Sequence, residues 1–284
     1  MKKLLKKFLN ILGYTSIFVA LTGVSLIYTS SLLFKFPISL ELLLIVFLSV
    51  FSVYNLNKIT DVMEDKINYP ERVSFIQKHK TKILISSIIS YIFALFIAFF
   101  RSILVGIFVF IPLIGVFIYS VSPIRLKRLL GIKNIWVSLL WSVSVTILPI
   151  IYFNKFELLL SFTSFSLFLF IFLKGIGNTI TFDIRDIEGD KKCKIETLPM
   201  RIGLNKTKIL LSVINLLSFI LLLITTFLGF ISPIGYAISL VTFYTFVYIY
   251  LIEKTDLKFL TDILADGEFI VIGLLAFIGN FLSG

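Results

Sequence analysis

Cysteine and histidine are all but missing: Cys193 and His79 are the only ones in 284 residues. One cysteine cannot close an internal disulfide, and no cysteine metal cluster can be built from it. One histidine excludes a multi-histidine metal site and weakens any Ser/His/Asp hydrolase reading. Charge is scarce as well, at 15% of residues against about 25% in an ordinary soluble domain. What the chain has instead is apolar surface, with 58% hydrophobic residues and a mean hydropathy of +1.04. One water-soluble core cannot absorb that excess, so lipid must solvate much of it. No stretch reads as a soluble domain, and residues 1–284 read as a single transmembrane domain.

The amino end does not read as a cleaved signal. Lys2, Lys3, Lys6 and Lys7 alternate with Leu4, Leu5, Phe8 and Leu9, which predicts an amphipathic basic segment over 1–10 lying on the membrane surface. Apolar segments follow at roughly 11–34, 38–60, 134–153, 157–182 and 264–283. Two further runs, Ile83 to Val121 and Ile209 to Ile252, are too long for one crossing of about 17–25 residues. The first is interrupted at Arg101-Ser102 and the second near Gly229 and Ser232-Pro233, so each predicts a helical hairpin. The expectation is an all-α polytopic protein: nine transmembrane helices with a polar cap on the cytoplasmic side. The basic residues support it. With nine spans and the amino end inside, Lys35, Arg101 and Lys155 fall in the opposite loops and Lys174 within a span. All the other Lys and Arg then share the inner face, as cytoplasmic loops require. The expected location is the cell membrane, multi-pass, with the amino terminus and any active site on the cytoplasmic side.

Most acidic residues fall on that same face, in two constellations. At the end of the second helix Asn57, Asp61 and Asp65 are four apart and predict one polar stripe. At the end of the sixth, Asp186 and Asp190 repeat the spacing, with Asp183 one turn earlier. Carboxylates on one helix face repel, and a hard divalent cation with oxygen ligands removes that cost. Mg²⁺ takes one or two carboxylates and shares the rest of its shell with water and phosphate. Two opposed Asp pairs therefore suit two or three Mg²⁺ ions around one diphosphate, with Asn57, Asp61, Asp65, Asp183, Asp186 and Asp190 as candidate ligands. A charge run at a helix end is more often a solvated boundary, but two such pairs flanked by Arg and Lys are a stronger signal. Lys35 and Glu41 read as interface anchors. Asp262, Asp266 and Glu268, before the last helix, read as loop solvation. Gly175-Ile176-Gly177 follows no strand and carries no weight as a nucleotide loop.

These residues resemble the UbiA superfamily of intramembrane prenyltransferases. Its first motif, Asn-Asp-x-x-Asp-x-x-x-Asp, is matched by Asn57, Asp61 and Asp65, with Ile67-Asn68, Pro70 and Arg72 following in register. Its second, Asp-x-x-Asp-x-x-x-Asp leading to Thr-Leu-Pro-x-Arg-x-Gly, is matched by Asp183, Asp186, Asp190 and Thr197 to Gly203. A Tyr-Ser followed by Pro and basic residues is matched by Tyr119-Ser120, Pro123, Arg125 and Lys127, with Lys133-Asn134 beyond. The matching segments cover about a quarter of the chain, and nine helices is also the family's number. Two positions depart: Lys58 stands where the family has Asp, and Asn178 where many members have Arg. Lys58 is placed to neutralise a carboxylate or to contact phosphate.

The resemblance implies a Mg²⁺-dependent prenyltransferase acting on an isoprenyl diphosphate donor and a hydrophobic or amphipathic acceptor, aromatic or lipid, within the bilayer and with no nucleic-acid partner. It implies Asp61, Asp65, Asp186 and Asp190 as the catalytic carboxylates. Asn57, Lys58, Arg72, Tyr119 and Lys127 would bind the diphosphate. The competing reading is a membrane cation transporter using the paired aspartates as an ion site. Transporters tend to place such groups near the midplane on broken helices of both halves, whereas these sit at helix ends on one face. A structural scaffold leaves the paired motifs unexplained.

Overall fold

The structure is a computed structural model that describes residues 13–60, 62–120 and 130–283. The expected basic segment 1–10 and the residues Asp61, Pro123, Arg125 and Lys127 lie outside the described residues. Tyr119 belongs to a helix, but its side chain is outside what is described.

Every described element is helical, as a chain dissolved in lipid requires, because only a helix satisfies its backbone groups from within one segment. The helices are α1 (Ile17–Leu33), α2 (Leu40–Thr60), α3 (Val62–Asn68), α4 (Pro70–Lys78), α5 (Lys80–Arg101), α6 (Ile103–Ser120), α7 (Ile132–Tyr152) and α8 (Phe162–Lys192). They continue with α9 (Leu198–Ile202), α10 (Leu204–Phe227), α11 (Ile234–Ser239), α12 (Val241–Leu251), α13 (Leu257–Phe259), a π-helical turn (Leu260–Ala265) and α14 (Asp266–Ser283). The first long run divides at Ser102, whose extended backbone ends α5. The second divides after Phe227, where Gly229 takes a positive φ of 76° that a side chain disfavours.

Of the nine membrane helices expected, six stretches among the described residues are long and apolar enough to cross a membrane by length and composition: Leu40–Thr60, Lys80–Arg101, Ile132–Tyr152, Phe162–Lys192, Leu204–Phe227 and Ile234–Leu251. Ile17–Leu33 and the apolar part of α6, Ile103–Gly115, are shorter than the ~20 residues a perpendicular crossing takes. The last helix opens with Asp266 and Glu268, which shortens its apolar length.

Neighbouring helices pack in an order that closes on itself: α1 on α2, α2 on α5, α5 on α6, α6 on α7, α7 on α8, α8 on α10, α10 on α11, α11 on α14, and α14 back on α1. Within this ring α1, α2, α6, α7, α8 and α14 line a cavity. The ring's outer face is apolar and bare, with Phe96, Phe100, Phe227 and Phe281 each more than 60% exposed. Such a surface belongs against lipid rather than water.

One polar cluster lies deep in the ring away from that cavity. The Lys174 ammonium (α8) meets Glu268 Oε1 (α14) at 2.7 Å, Asn215 Oδ1 (α10) at 2.7 Å and the Thr245 hydroxyl (α12) at 3.0 Å. Tyr248 donates to Glu268 Oε2 at 2.8 Å. Both charged side chains are no more than 2% exposed. Glu268 is thus a core residue, not loop solvation as its position suggested. Removing one partner of such a pair strands a buried charge, at a cost of about 3–5 kcal/mol. Glu268→Ala is expected to lose that much in denaturation, and Lys174→Met/Glu268→Leu to recover part of it.

Candidate functional site

The cavity measures about 390 Å³. Its body is apolar, walled by Leu26, Ile45, Val46, Phe108, Trp141 and Ile171 among others. One end is polar and lined by Asn57, Lys58, Asp65, Asn68, Arg72, Lys133, Asn178, Arg185, Asp186, Asp190, Asp262 and Asp266. The two acidic constellations, more than a hundred residues apart in the chain, therefore meet at one place.

The short helix α3 carries Asp65 of the first constellation against α8, which carries the second. Asn68 makes the joint: its side chain accepts from the Gly189 amide at 3.0 Å and donates to the Asp186 carbonyl at 3.4 Å. A Cβ on Gly189 would lie 2.3 Å from Asn68 Nδ2, so the joint depends on that glycine. Pro70 at the start of α4 turns the chain back, which sets Arg72 over the Tyr69 ring at 4.0 Å and onto Asp65 at 2.7 Å.

In α8, Arg185 grips the neighbouring Asp186 with a forked contact, Nε to Oδ1 at 2.7 Å and a terminal nitrogen to Oδ2 at 2.6 Å. Its other terminal nitrogen reaches Asp262 at 3.0 Å and Thr261 at 3.2 Å. Lys133, at the start of α7, bridges Asp183 at 2.6 Å and Asp190 at 3.0 Å. Tyr69 donates to Asp262 at 2.9 Å. Burial holds its hydroxyl well above the usual tyrosine pKa, so it stays a neutral donor.

Asn57, Lys58, Asp65, Arg72, Asp186 and Asp190 line the polar end. Lys58 also donates to the Gly13 carbonyl. Asp183 does not line it: only 1% exposed, it is held by Asn134 at 2.9 Å and by Lys133, which makes it an anchor between α7 and α8. Asp61 and Lys127 are outside the described residues. Gly175 and Gly177 lie inside α8, with no loop around them.

The reading of Asp262 and Asp266 as loop solvation is corrected, since both face the cavity. Arg185, Lys133, Asn68 and Tyr69 join the site through contacts that no spacing in the sequence signals. Asp262 and Asp266 had a legible signal: the same four-residue spacing at the foot of an apolar helix.

The donors available to a metal are all oxygens, which suits a hard cation such as Mg²⁺. Among the described residues no three His, Cys, Asp or Glu side chains converge into a cage. Mg²⁺ rarely uses one, completing its shell with water and phosphate oxygens. Arg72 adds to this, because its Nε is buried with no hydrogen-bond partner among the described residues. A buried guanidinium N–H left unpaired is costly, and an incoming anion would satisfy it.

A sequence model described as the UbiA prenyltransferase family matches residues 16–259. A digeranylgeranylglyceryl phosphate synthase of Methanosphaera stadtmanae is 30% identical over 217 residues, which are 76% of this chain and 72% of that protein. Among solved structures, a UbiA homolog from Aeropyrum pernix K1 superposes with a TM-score of 0.71 at 15% identity, covering 92% of this chain and 98% of that one. A UbiA homolog from Archaeoglobus fulgidus bound to GPP and Mg²⁺ superposes with a TM-score of 0.66 at 17% identity, covering 95% and 99%. At those identities the structural likeness establishes the fold.

The Asn68 joint generates a prediction. Gly189→Ala is expected to cost about 1–3 kcal/mol in unfolding, as overpacking does. Adding Asn68→Ala relieves the clash, so a double-mutant cycle gives a coupling of about 0.5–3 kcal/mol. Additive losses would show that α3 and α8 are not joined there.

Proposed function

Because this chain belongs to the UbiA prenyltransferase family and is a prenyltransferase, we propose that it joins the prenyl group of an allylic isoprenyl diphosphate to a hydroxyl of a glycerol-phosphate lipid. Mg²⁺ is the proposed cofactor, and diphosphate the leaving product. The observation that carries this reading is one cavity with a charged end and an apolar body, the shape complement of a molecule with a diphosphate head and an isoprenoid tail. The acceptor class is proposed from the Methanosphaera relative, a digeranylgeranylglyceryl phosphate synthase. The proposed topology keeps nine spans, the amino end inside and the charged end facing the cytoplasm, supported by the one-sided distribution of Lys and Arg.

In this reading Asp65, Asp186 and Asp190, with Asn57 and Asp61, would hold Mg²⁺. When bound, the cation neutralises the charge that develops on the departing diphosphate. Arg72 offers its unpaired Nε to the head group. Lys58 and Lys133, both lining the charged end, contribute point charges to the same oxygens. Lys127 and Tyr119 are proposed to close the head-group site from the segment that follows α6. The donor's allylic C–O bond breaks with its electron pair leaving on diphosphate. The apolar walls, Trp141 and Phe108 among them, exclude water from the allylic cation until the acceptor captures it.

The test is the unfolding temperature of detergent-purified protein with a non-hydrolysable allylic diphosphate analogue, with and without Mg²⁺. At 100 times its Kd the analogue is expected to stabilise the fold by about 2.7 kcal/mol, and only with Mg²⁺ present. Asp61→Asn, Asp65→Asn and Asp186→Asn are expected to lose both the shift and the transfer of prenyl groups. Near-normal transfer by Asp186→Asn would overturn the assignment. A shift with the divalent cation alone would favour ion transport.

A further inference from the structure

Five described carboxylates line the cavity: Asp65, Asp186, Asp190, Asp262 and Asp266. Four of them are ion-paired, with Arg72, Arg185, Lys133 and Arg185 respectively. Asp266 is not. Among the described residues its hydrogen bond comes from Asn178 Nδ2 to Oδ1 at 3.3 Å, and Oδ2 has no described partner. The residue is only 9% exposed. A carboxylate so placed, with no cation in salt-bridge contact among the described residues, is poised to accept a hydrogen bond or a proton from whatever enters beside it.

Its position relative to the head-group site follows from Arg185. One guanidinium spans Asp186 on α8 and Asp262 on the π-helical turn, so the segment 262–266 borders the head-group carboxylates directly. The π-helical geometry of Leu260–Ala265 is itself common beside functional sites. Two turns of buried polar contacts hold α8 and α14 in register there. Lys174 pairs with Glu268, and Asn178, four residues on, meets Asp266, two residues back. The buried ion pair thus sets the height of Asp266 against the cavity.

We propose that Asp266 binds the nucleophilic hydroxyl of the acceptor and takes its proton, with Asn178 orienting the carboxylate. This inference rests on the transfer reaction proposed above. As the donor's allylic C–O bond breaks, a lone pair of the acceptor oxygen forms the new C–O bond. The acceptor O–H bond breaks, and its proton passes to the Asp266 carboxylate. The ether forms, diphosphate leaves with the electron pair of the broken bond, and no oxidant or reductant is required. Asp262 does not share the role, because both its oxygens are engaged by Arg185 and Tyr69.

The experiment measures prenyl transfer from geranyl diphosphate to a glycerol phosphate carrying one prenyl ether and a free hydroxyl. The Mg²⁺-dependent unfolding shift with the donor analogue is read on the same preparations. Asp266→Asn is expected to keep the donor shift and the donor KM while kcat falls about 10²- to 10⁴-fold, the usual contribution of a general base. Asp266→Glu is expected to restore part of the rate. Transfer by Asp266→Asn within about twofold of the wild type would overturn the role. Should Asp266→Asn fail to fold, Asn178→Ala decides, since it removes the orienting hydrogen bond and leaves the carboxylate. A reduced kcat with an intact donor shift then supports the role, and an unchanged kcat overturns it. Absence of transfer by the wild type, with donor binding intact, would instead reject the glycerol-phosphate acceptor on which the inference rests.

Discussion

The constraint on which the rest of the structure depends is the cost of burying charge inside an apolar bundle. Isolated carboxylates and ammonium groups cannot sit in such a medium without partners. Here nearly every one has a partner from another helix. Arg72 on α4 answers Asp65 on α3, Lys133 on α7 answers Asp183 and Asp190 on α8, Arg185 on α8 answers Asp262 on the π-helical turn, and Lys174 answers Glu268. The same pairs that lower the cost of burial also tie the helices of the ring together. Hydrophobic contact with lipid tails offers little to tell one helix neighbour from another, so these polar pairs supply much of the specificity of the arrangement.

That arrangement concentrates charge at one end of a cavity and leaves the remainder apolar. Protein cations already pair with the described carboxylates of the two constellations, Asp65, Asp183, Asp186 and Asp190, so ligand binding there becomes an exchange of partners rather than the filling of a bare acidic cage. The forked Arg185–Asp186 contact is the stiffest part of this network. Lys133 is a single ammonium on a flexible stem, suited to shifting from carboxylate to phosphate. The charged end and the apolar body together suit the amphiphilic diphosphate proposed as its occupant better than a bare ion.

Asp183 and Asp266 show how far a spacing argument reaches. Both sit in a four- or three-residue acidic pattern at a helix end. The pattern makes Asp183 a candidate ligand and reads Asp266 as loop solvation, whereas the structure buries Asp183 between α7 and α8 and turns Asp266 to the cavity. A helix face in sequence is only an angle around an axis; whether it looks into a cavity or into a neighbour depends on what packs there. Asn134 and Lys133 fill the space beside Asp183. The ring closes between α14 and α1 so that Asp262 and Asp266 look inward.

The sequence by itself determined the solvent, the secondary structure and the two aspartate constellations, because these follow from local composition and from periods of a few residues. Long apolar runs demand lipid and helices, Ser102 and Gly229 mark where those helices break, and carboxylates four apart on one helix face mark a site. The tertiary structure alone decided which charge neutralises which. It also decided that Lys174 and Glu268 form one buried pair, and that Asp266 meets Asn178 at the cavity with no ion pair among the described residues. Those outcomes depend on contacts between residues up to about a hundred or more positions apart. No local period encodes such contacts, and only the closure of the ring brings them together.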